Sequence, residues 1–128
     1  YGRYDDPERM ARLSVARTFL TEGPEPGLTK LDEVSAEYPD MCDEGDMNSL
    51  GYTLLGRDAV DAAIAVFERN TLDYPESSNV WDSLGEGLRE AGRLEESIEN
   101  YEKSIAIDPS NENAKRFVKV MREEMGSR

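Results

Sequence analysis

Side-chain nucleophiles need a base to activate them, and this chain has no histidine. Its absence removes the Ser-His-Asp constellation, a His-activated cysteine and histidine metal ligands. The single cysteine, Cys42, lies in the acidic run from Asp40 to Asp46, whose carboxylates disfavour a thiolate. Cys42 therefore reads as a small, partly buried side chain in a connection. Carboxylates at 40, 43, 44 and 46 are of the ligand type that calcium takes, but their spacing does not match an EF-hand. Acids ahead of a helix simply favour its positive end. Gly85-Glu86-Gly87 has the look of a phosphate loop, yet no strand precedes it and it falls inside a predicted helix. Glu95-Glu96 and Glu123-Glu124 sit on solvated faces with nothing to make one an acid and the other a base. The expectation is a chain with no catalytic residues, no metal and no cofactor, and not an enzyme.

What must then be explained is the scaffold. The stretch Glu44 to Pro109 repeats itself at a spacing of 34 residues. Leu50 recurs as Leu84, Gly51 as Gly85, Leu54 as Leu88, Phe67 as Tyr101, and Tyr74-Pro75 as Asp108-Pro109. Such a period signals stacked two-helix units. The predicted fold class is all-α, an α-α superhelix of stacked antiparallel hairpins with about seven helices.

The helices are predicted from apolar spacing and from caps. Residues 1–5 are a polar lead-in. Asp6-Pro7-Glu8 starts a helix of about 7–22 carrying Met10, Leu13, Val15, Ala16, Phe19 and Leu20. Gly23-Pro24-Glu25-Pro26-Gly27 stops it, and Leu28, Leu31, Val34 and Tyr38 mark a shorter helix ended by Pro39. A helix of about 45–56 follows, with Met47, Leu50, Leu54 and Leu55 on one side. Asp58 is expected to cap the next, about 59–73, in a capping box with Asp61. Its buried stripe is Val60, Ala63, Ile64, Phe67 and Leu72. Ser77 or Ser78 caps about 79–91, with Val80, Trp81, Leu84 and Leu88 inward. Ala91-Gly92-Arg93 turns the chain into about 94–107, and a last helix of about 111–125 carries Ala114, Phe117, Val118 and Met121 on one face.

The whole chain, 1–128, is expected to be a single domain. It divides into a divergent hairpin at 6–39, repeats at 44–77 and 78–111, and a capping helix at 112–125. Glycines 51 and 85 fall inside helices, where each costs about 1 kcal/mol relative to alanine. Close approach of the paired helix, with small Ala63 and Ser97, would offset that cost. Were Trp81 core, its truncation to alanine would cost about 3–5 kcal/mol.

Acidic residues number 28 against 15 basic, 11 of them arginine, for a net charge of −13. That balance argues against nucleic acid and anionic membrane as partners. With 38% hydrophobic and 34% charged residues the chain is polar but not disordered by composition. One cysteine allows no internal disulfide. No apolar run of membrane-spanning length and no signal peptide is evident, so a soluble protein of unassigned compartment is expected. The start at Tyr1 suggests a piece of a longer chain.

The two copies resemble the tetratricopeptide repeat. The first reads Met47, Leu50-Gly51, Leu54, Ala63, Phe67, Pro75; the second reads Trp81, Leu84-Gly85, Leu88, Ser97, Tyr101, Pro109. The wording from Leu50-Gly51-Tyr52 through Asn100-Tyr101 is also similar to repeat regions carried behind serine hydrolase domains of the beta-lactamase-like and esterase types. Neither Ser-x-x-Lys nor Gly-x-Ser-x-Gly occurs here. The resemblance implies a non-catalytic scaffold that binds protein or peptide through its concave face. The alternative it implies is a structural or oligomerisation module appended to a serine hydrolase, with a homodimer as one expected state. By position it points to Asn48, Tyr52 and Leu55, then to Asn79, Asp82, Glu86 and Arg89, and on the cap helix to Arg116, Lys119 and Arg122. In that reading Tyr52 is an aromatic anchor and the cap's basic residues hold a carboxylate. The family's chaperone-tail clamp wants Lys and Asn where this chain has Asn48 and Tyr52, so chaperone binding is not expected.

Overall fold

Each helix of this chain begins and ends on a local chemical signal. The computed structural model describes residues 6–126; the polar lead-in at 1–5 lies outside the described residues. Seven α-helices are described: α1 (Pro7–Glu22), α2 (Pro24–Glu37), α3 (Glu44–Gly56), α4 (Val60–Asp73), α5 (Ser78–Glu90), α6 (Leu94–Ile107) and α7 (Glu112–Gly126). A 3-10 turn, Pro39–Met41, stands between α2 and α3. No strand occurs among the described residues, and no described helix is long and apolar enough to cross a membrane. The chain forms two compact units, one up to Val66 and one from Phe67 on, with the boundary inside α4.

In the first unit, α1 and α2 form a hairpin. The Glu8 N–H donates to Asp6 Oδ1 at 3.1 Å, and Pro7 takes the first helical position, where its missing N–H costs nothing. The expected stop at 23–27 is narrower than its composition suggested. Only Gly23, at φ 96°, breaks the helix; Pro24 and Pro26 sit in the first turn of α2, where no intrahelical N–H is required. Gly27 is helical and buried, because the Phe19 ring lies where any β-carbon would go.

Val15, Phe19, Leu31, Val34, Met41, Met47 and Leu54 are the buried apolar residues of these segments. Met10, Leu13 and Leu20 are 50%, 44% and 38% exposed, so α1 buries a narrower stripe than its apolar spacing predicts. The acidic run finds its use at the start of α3. Asp46 N–H donates to Asp43 Oδ1 at 2.8 Å, and Asp43 N–H donates back to Asp46 Oδ2 at 3.3 Å, a reciprocal capping box.

The turn after α3 corrects the expected cap at Asp58. Ala59 N–H reaches Leu54 O at 2.9 Å and Asp58 N–H reaches Leu55 O at 3.1 Å, which is a Schellman ending. It places Asp58 in the left-handed region, φ 61°, one residue too early to cap α4. Within α4, Leu72 is also corrected: it is 77% exposed. The helical stripe that runs through Phe67 continues through Asn70 and Thr71, both buried, and Leu72 is rotated about 140° from Phe67.

In the second unit, α5 and α6 pair and α7 packs on α6. Ser97 Oγ–H donates to the buried Gly85 carbonyl at 2.6 Å. The Tyr101 ring lies against Gly85 so closely that a β-carbon there would fall 2.9 Å from Tyr101 Cγ. This contact offsets the helix penalty of a mid-helix glycine. Tyr101 itself is fully buried in a cluster with Ile98, Ala114, Val118 and Met121. Trp81 is not core: it is half-buried, its Nε1–H donating to Pro75 O at 2.8 Å and Lys103 Nζ lying 4.5 Å over its ring.

Candidate functional site

The residues singled out on α5 gather on one face. Asp82, Glu86 and Arg89 follow one another at i, i+4 and i+7, the spacing that aligns side chains along a helix. All three are half-buried, while Asn79, at the start of α5, is exposed. Arg89 lays its guanidinium over the Phe117 ring of α7, Cζ 4.0 Å from the centroid. Arg116 Cζ stands 5.9 Å from the same ring, and Arg116 Nη2 donates to Asn113 Oδ1 at 2.6 Å. Phe117 in turn meets Tyr101, centroids 5.6 Å apart. The site is thus an aromatic floor carrying a held cation, beside two carboxylates.

Its polar side is organised by Asn111, which sequence reasoning passed over. Asn111 Nδ2 donates to Asp82 Oδ2 at 2.7 Å and to Ser104 Oγ at 3.0 Å. Its Oδ1 caps α7 by accepting the Ala114 N–H at 3.1 Å. One side chain therefore joins α5, α6 and α7. A signal for it existed: Asp43, Ser77 and Asn111, each immediately ahead of the first helix of a unit, are spaced by 34.

Beneath this face, burial pushes the Tyr101 hydroxyl well above the ordinary tyrosine range. Asp82 and Glu86 add to that rise, and the Arg89 cation opposes it. The Tyr101 hydroxyl and Arg89 Nε are both buried. What this surface offers is stacking, charge and hydrogen bonding.

The expected basic trio on α7 is not one patch. Arg116 belongs with Arg89 and Phe117, but Lys119 and Arg122 line a different groove, together with Glu102, Ile105 and Ala106 of α6. Arg122 Nη2 is bonded there to Glu102 Oε2 at 2.7 Å. The separation follows from the helix: Arg122 is six residues from Arg116, about 120° round the axis. In the first unit, Asn48, Tyr52 and Leu55 share the i, i+4, i+7 spacing on α3 and are half-buried. Cys42 is half-buried and lines a cavity of about 320 Å³ with Val15, Leu31, Val34 and Met47. Among the described residues, no three His, Cys, Asp or Glu side chains come together as metal ligands would.

A family model for the tetratricopeptide repeat matches residues 85–114, from the middle of α5 through α6 into α7. The matched segment contains Arg89, Tyr101 and Asn111, three of the side chains that build the site. A curated relative, the small glutamine-rich tetratricopeptide repeat-containing protein 2 of Mycosarcoma maydis, is 31% identical over 67 residues. The match covers 52% of this chain, which spans about a fifth (19%) of that relative's length. Among solved structures, an arginine-to-glutamate mutant of MamA superposes with a TM-score of 0.70 at 23% identity, covering 93% of this chain and 85% of its own. A crystal structure of MamA gives 0.69 at 22% identity, covering 96% and 72%. These likenesses establish an all-α fold of the repeat-hairpin kind.

Proposed function

We propose that this chain is a non-catalytic scaffold that binds a partner protein, taking an extended peptide segment on the α5–α7 face. The observation that carries the reading is the Arg89 guanidinium 4.0 Å over the Phe117 ring, on the helix face that also carries Asp82 and Glu86, with Arg116 5.9 Å from the same ring. A guanidinium already stacked loses little freedom on binding, so its donors are available at low entropic cost. The face favours a peptide with a carboxylate or carbonyl for the arginines and a donor for Asp82 and Glu86. The expected residues of the first unit, Asn48, Tyr52 and Leu55, form a further contact surface in this proposal, with Tyr52 as anchor.

The test is a displayed peptide library selected against the purified chain, followed by affinity measurement on variants. Arg89→Ala is expected to weaken the selected peptides about tenfold, the scale of one well-made charged contact. Arg116→Glu is expected to weaken them less. Peptides that bind both variants as well as the parent would overturn the reading.

The relatives above lend no support to the hydrolase-tail resemblance. Self-association as a second reading draws on one observation, the exposed Met10, Leu13 and Leu20 of α1. A light-scattering mass of a dimer that reverts to a monomer in Leu13→Glu would favour it.

A further inference from the structure

Continuing the 34-residue register past α6 places Lys115, Val118, Lys119 and Arg122 at the positions of Trp81, Leu84, Gly85 and Leu88. On α5 those positions receive α6: Gly85 accepts the Ser97 hydroxyl and makes room for the Tyr101 ring. On α7 the same face forms, with α6, an open groove of about 670 Å³. Its floor is apolar, made by Ile105, Ala106 and Val118, and Lys115, Lys119 and Arg122 stand along it with Glu102 and Glu123.

Cations are locally concentrated beside this groove. In a chain of net charge −13, four of the fifteen cationic side chains fall within residues 115–122. Two of those lining the groove are engaged, Lys115 with Glu112 at 3.3 Å and Arg122 with Glu102 at 2.7 Å. Lys119 is exposed and has no ion-pair partner among the described residues.

We propose that the α6–α7 groove docks an amphipathic helix of a partner protein, apolar along one face and flanked by carboxylates. The open apolar floor suits a helix laid along a groove, the arrangement in which anchors recur at i, i+3 or i+4. The chemistry opposite Lys119 is specified by comparison with α5. Gly85 admits an aromatic ring at its crossing, whereas Lys119 fills that space and offers an ammonium, so the incoming helix carries a carboxylate there. The generally acidic surface repels such a helix elsewhere, and the Lys119 ammonium selects it here.

The probe is a synthetic peptide with the sequence of α6, residues 94–107, carrying the substitution Tyr101→Glu and held helical by a lactam between Glu99 and Lys103. It is titrated into the isotopically labelled full chain and followed by NMR. The expected result is saturable binding with shifts confined to Ile105, Val118, Lys119 and their neighbours. Lys119→Glu weakens it about tenfold, and a peptide carrying Tyr101→Lys instead restores binding to that variant. Lys119 is exposed, so both proteins should melt alike, which circular dichroism checks. Binding unaffected by Lys119→Glu, shifts on the Asp82–Arg89 face instead, or no saturation at millimolar peptide would overturn the proposal.

Discussion

The turns at 57–59 and 91–93 are made in the same way and finished differently. In the first, Ala59 N–H reaches Leu54 O and Asp58 N–H reaches Leu55 O; in the second, Arg93 N–H reaches Leu88 O and Gly92 N–H reaches Arg89 O. The residue in the left-handed position is Asp58 at φ 61° in one and Gly92 at φ 77° in the other. Two copies of one plan thus share backbone hydrogen bonding while one carries a steric cost the other avoids. The helices show the same contrast. Where the second copy has Ser97, bonded to the Gly85 carbonyl, the first has Ala63, buried but with no hydroxyl to donate. Where the first has Met47, 3% exposed, the second has Trp81, half out of the core and tied to Pro75. Shared hydrogen bonding at the turn goes with freedom in the side chains around it.

The contrast can be broken or sharpened by substitution, with chemical denaturation as the readout. Tyr101→Ala should have the largest effect, a loss of about 3–5 kcal/mol, because it empties the centre of the second unit's core. Trp81→Ala should cost much less, about 1–2 kcal/mol, since only part of its surface is buried and a single hydrogen bond is lost. Equal losses at the two positions would mean Trp81 is as central as its place in the repeat suggests. Gly85→Ala should destabilise by about 1–2 kcal/mol: overpacking against Tyr101 outweighs the gain in helix propensity. A stabilised Gly85→Ala variant would show that the crossing is not close. Ser97→Ala should cost about 1 kcal/mol, the worth of one buried hydrogen bond, and make the second copy resemble the first.

Asp58→Gly should act in the opposite direction, stabilising by about 0.5–1 kcal/mol by relieving the left-handed strain. The reciprocal Gly92→Asp should destabilise by a similar amount. The smallest effect is a pH dependence at Asp108. The Ser110 hydroxyl at 2.6 Å and the Ser110 N–H at 3.0 Å hold its carboxyl below the ordinary aspartate value of 3.8. A lowered folded-state pKa means the contribution is fully present above that ordinary value. It is lost as pH falls through the lower folded value. The stability gap between the parent and Asp108→Asn should be flat above about pH 5 and narrow below it, as followed by acid titration of the melting curve.

Much of the scaffold was legible in advance, and for a shared reason. Pro7 in a first helical turn, Gly92 in a turn and Pro75 or Pro109 after a helix act through atoms within a turn or so of themselves. Helix boundaries predicted from them agree with the structure to within a residue or two at most ends. Failures came where a local signal admits two outcomes. Pro24 and Pro26 read as a stop and instead opened α2, since proline suits a first turn as well as a break. Asp58 read as a cap and instead closed α3, since a short polar side chain tolerates left-handed backbone as well as capping.

Of the candidate site, the α5 residues were legible because 82, 86 and 89 share a helix face at a fixed period. Asn111 was missed because its bonds to Asp82 and Ser104 span 29 and 7 residues, distances no local pattern reports.

By itself, then, the sequence determined the seven helices, the 34-residue repetition and the positions of caps and turns. Only tertiary structure decided that Arg116 would join Arg89 on the Phe117 ring while Lys119 and Arg122 turned to α6, that Trp81 would stay half exposed, and that α1 would leave Met10, Leu13 and Leu20 in water. A helix's own residues set its angular pattern, but which part of that pattern is covered depends on helices that arrive from far along the chain.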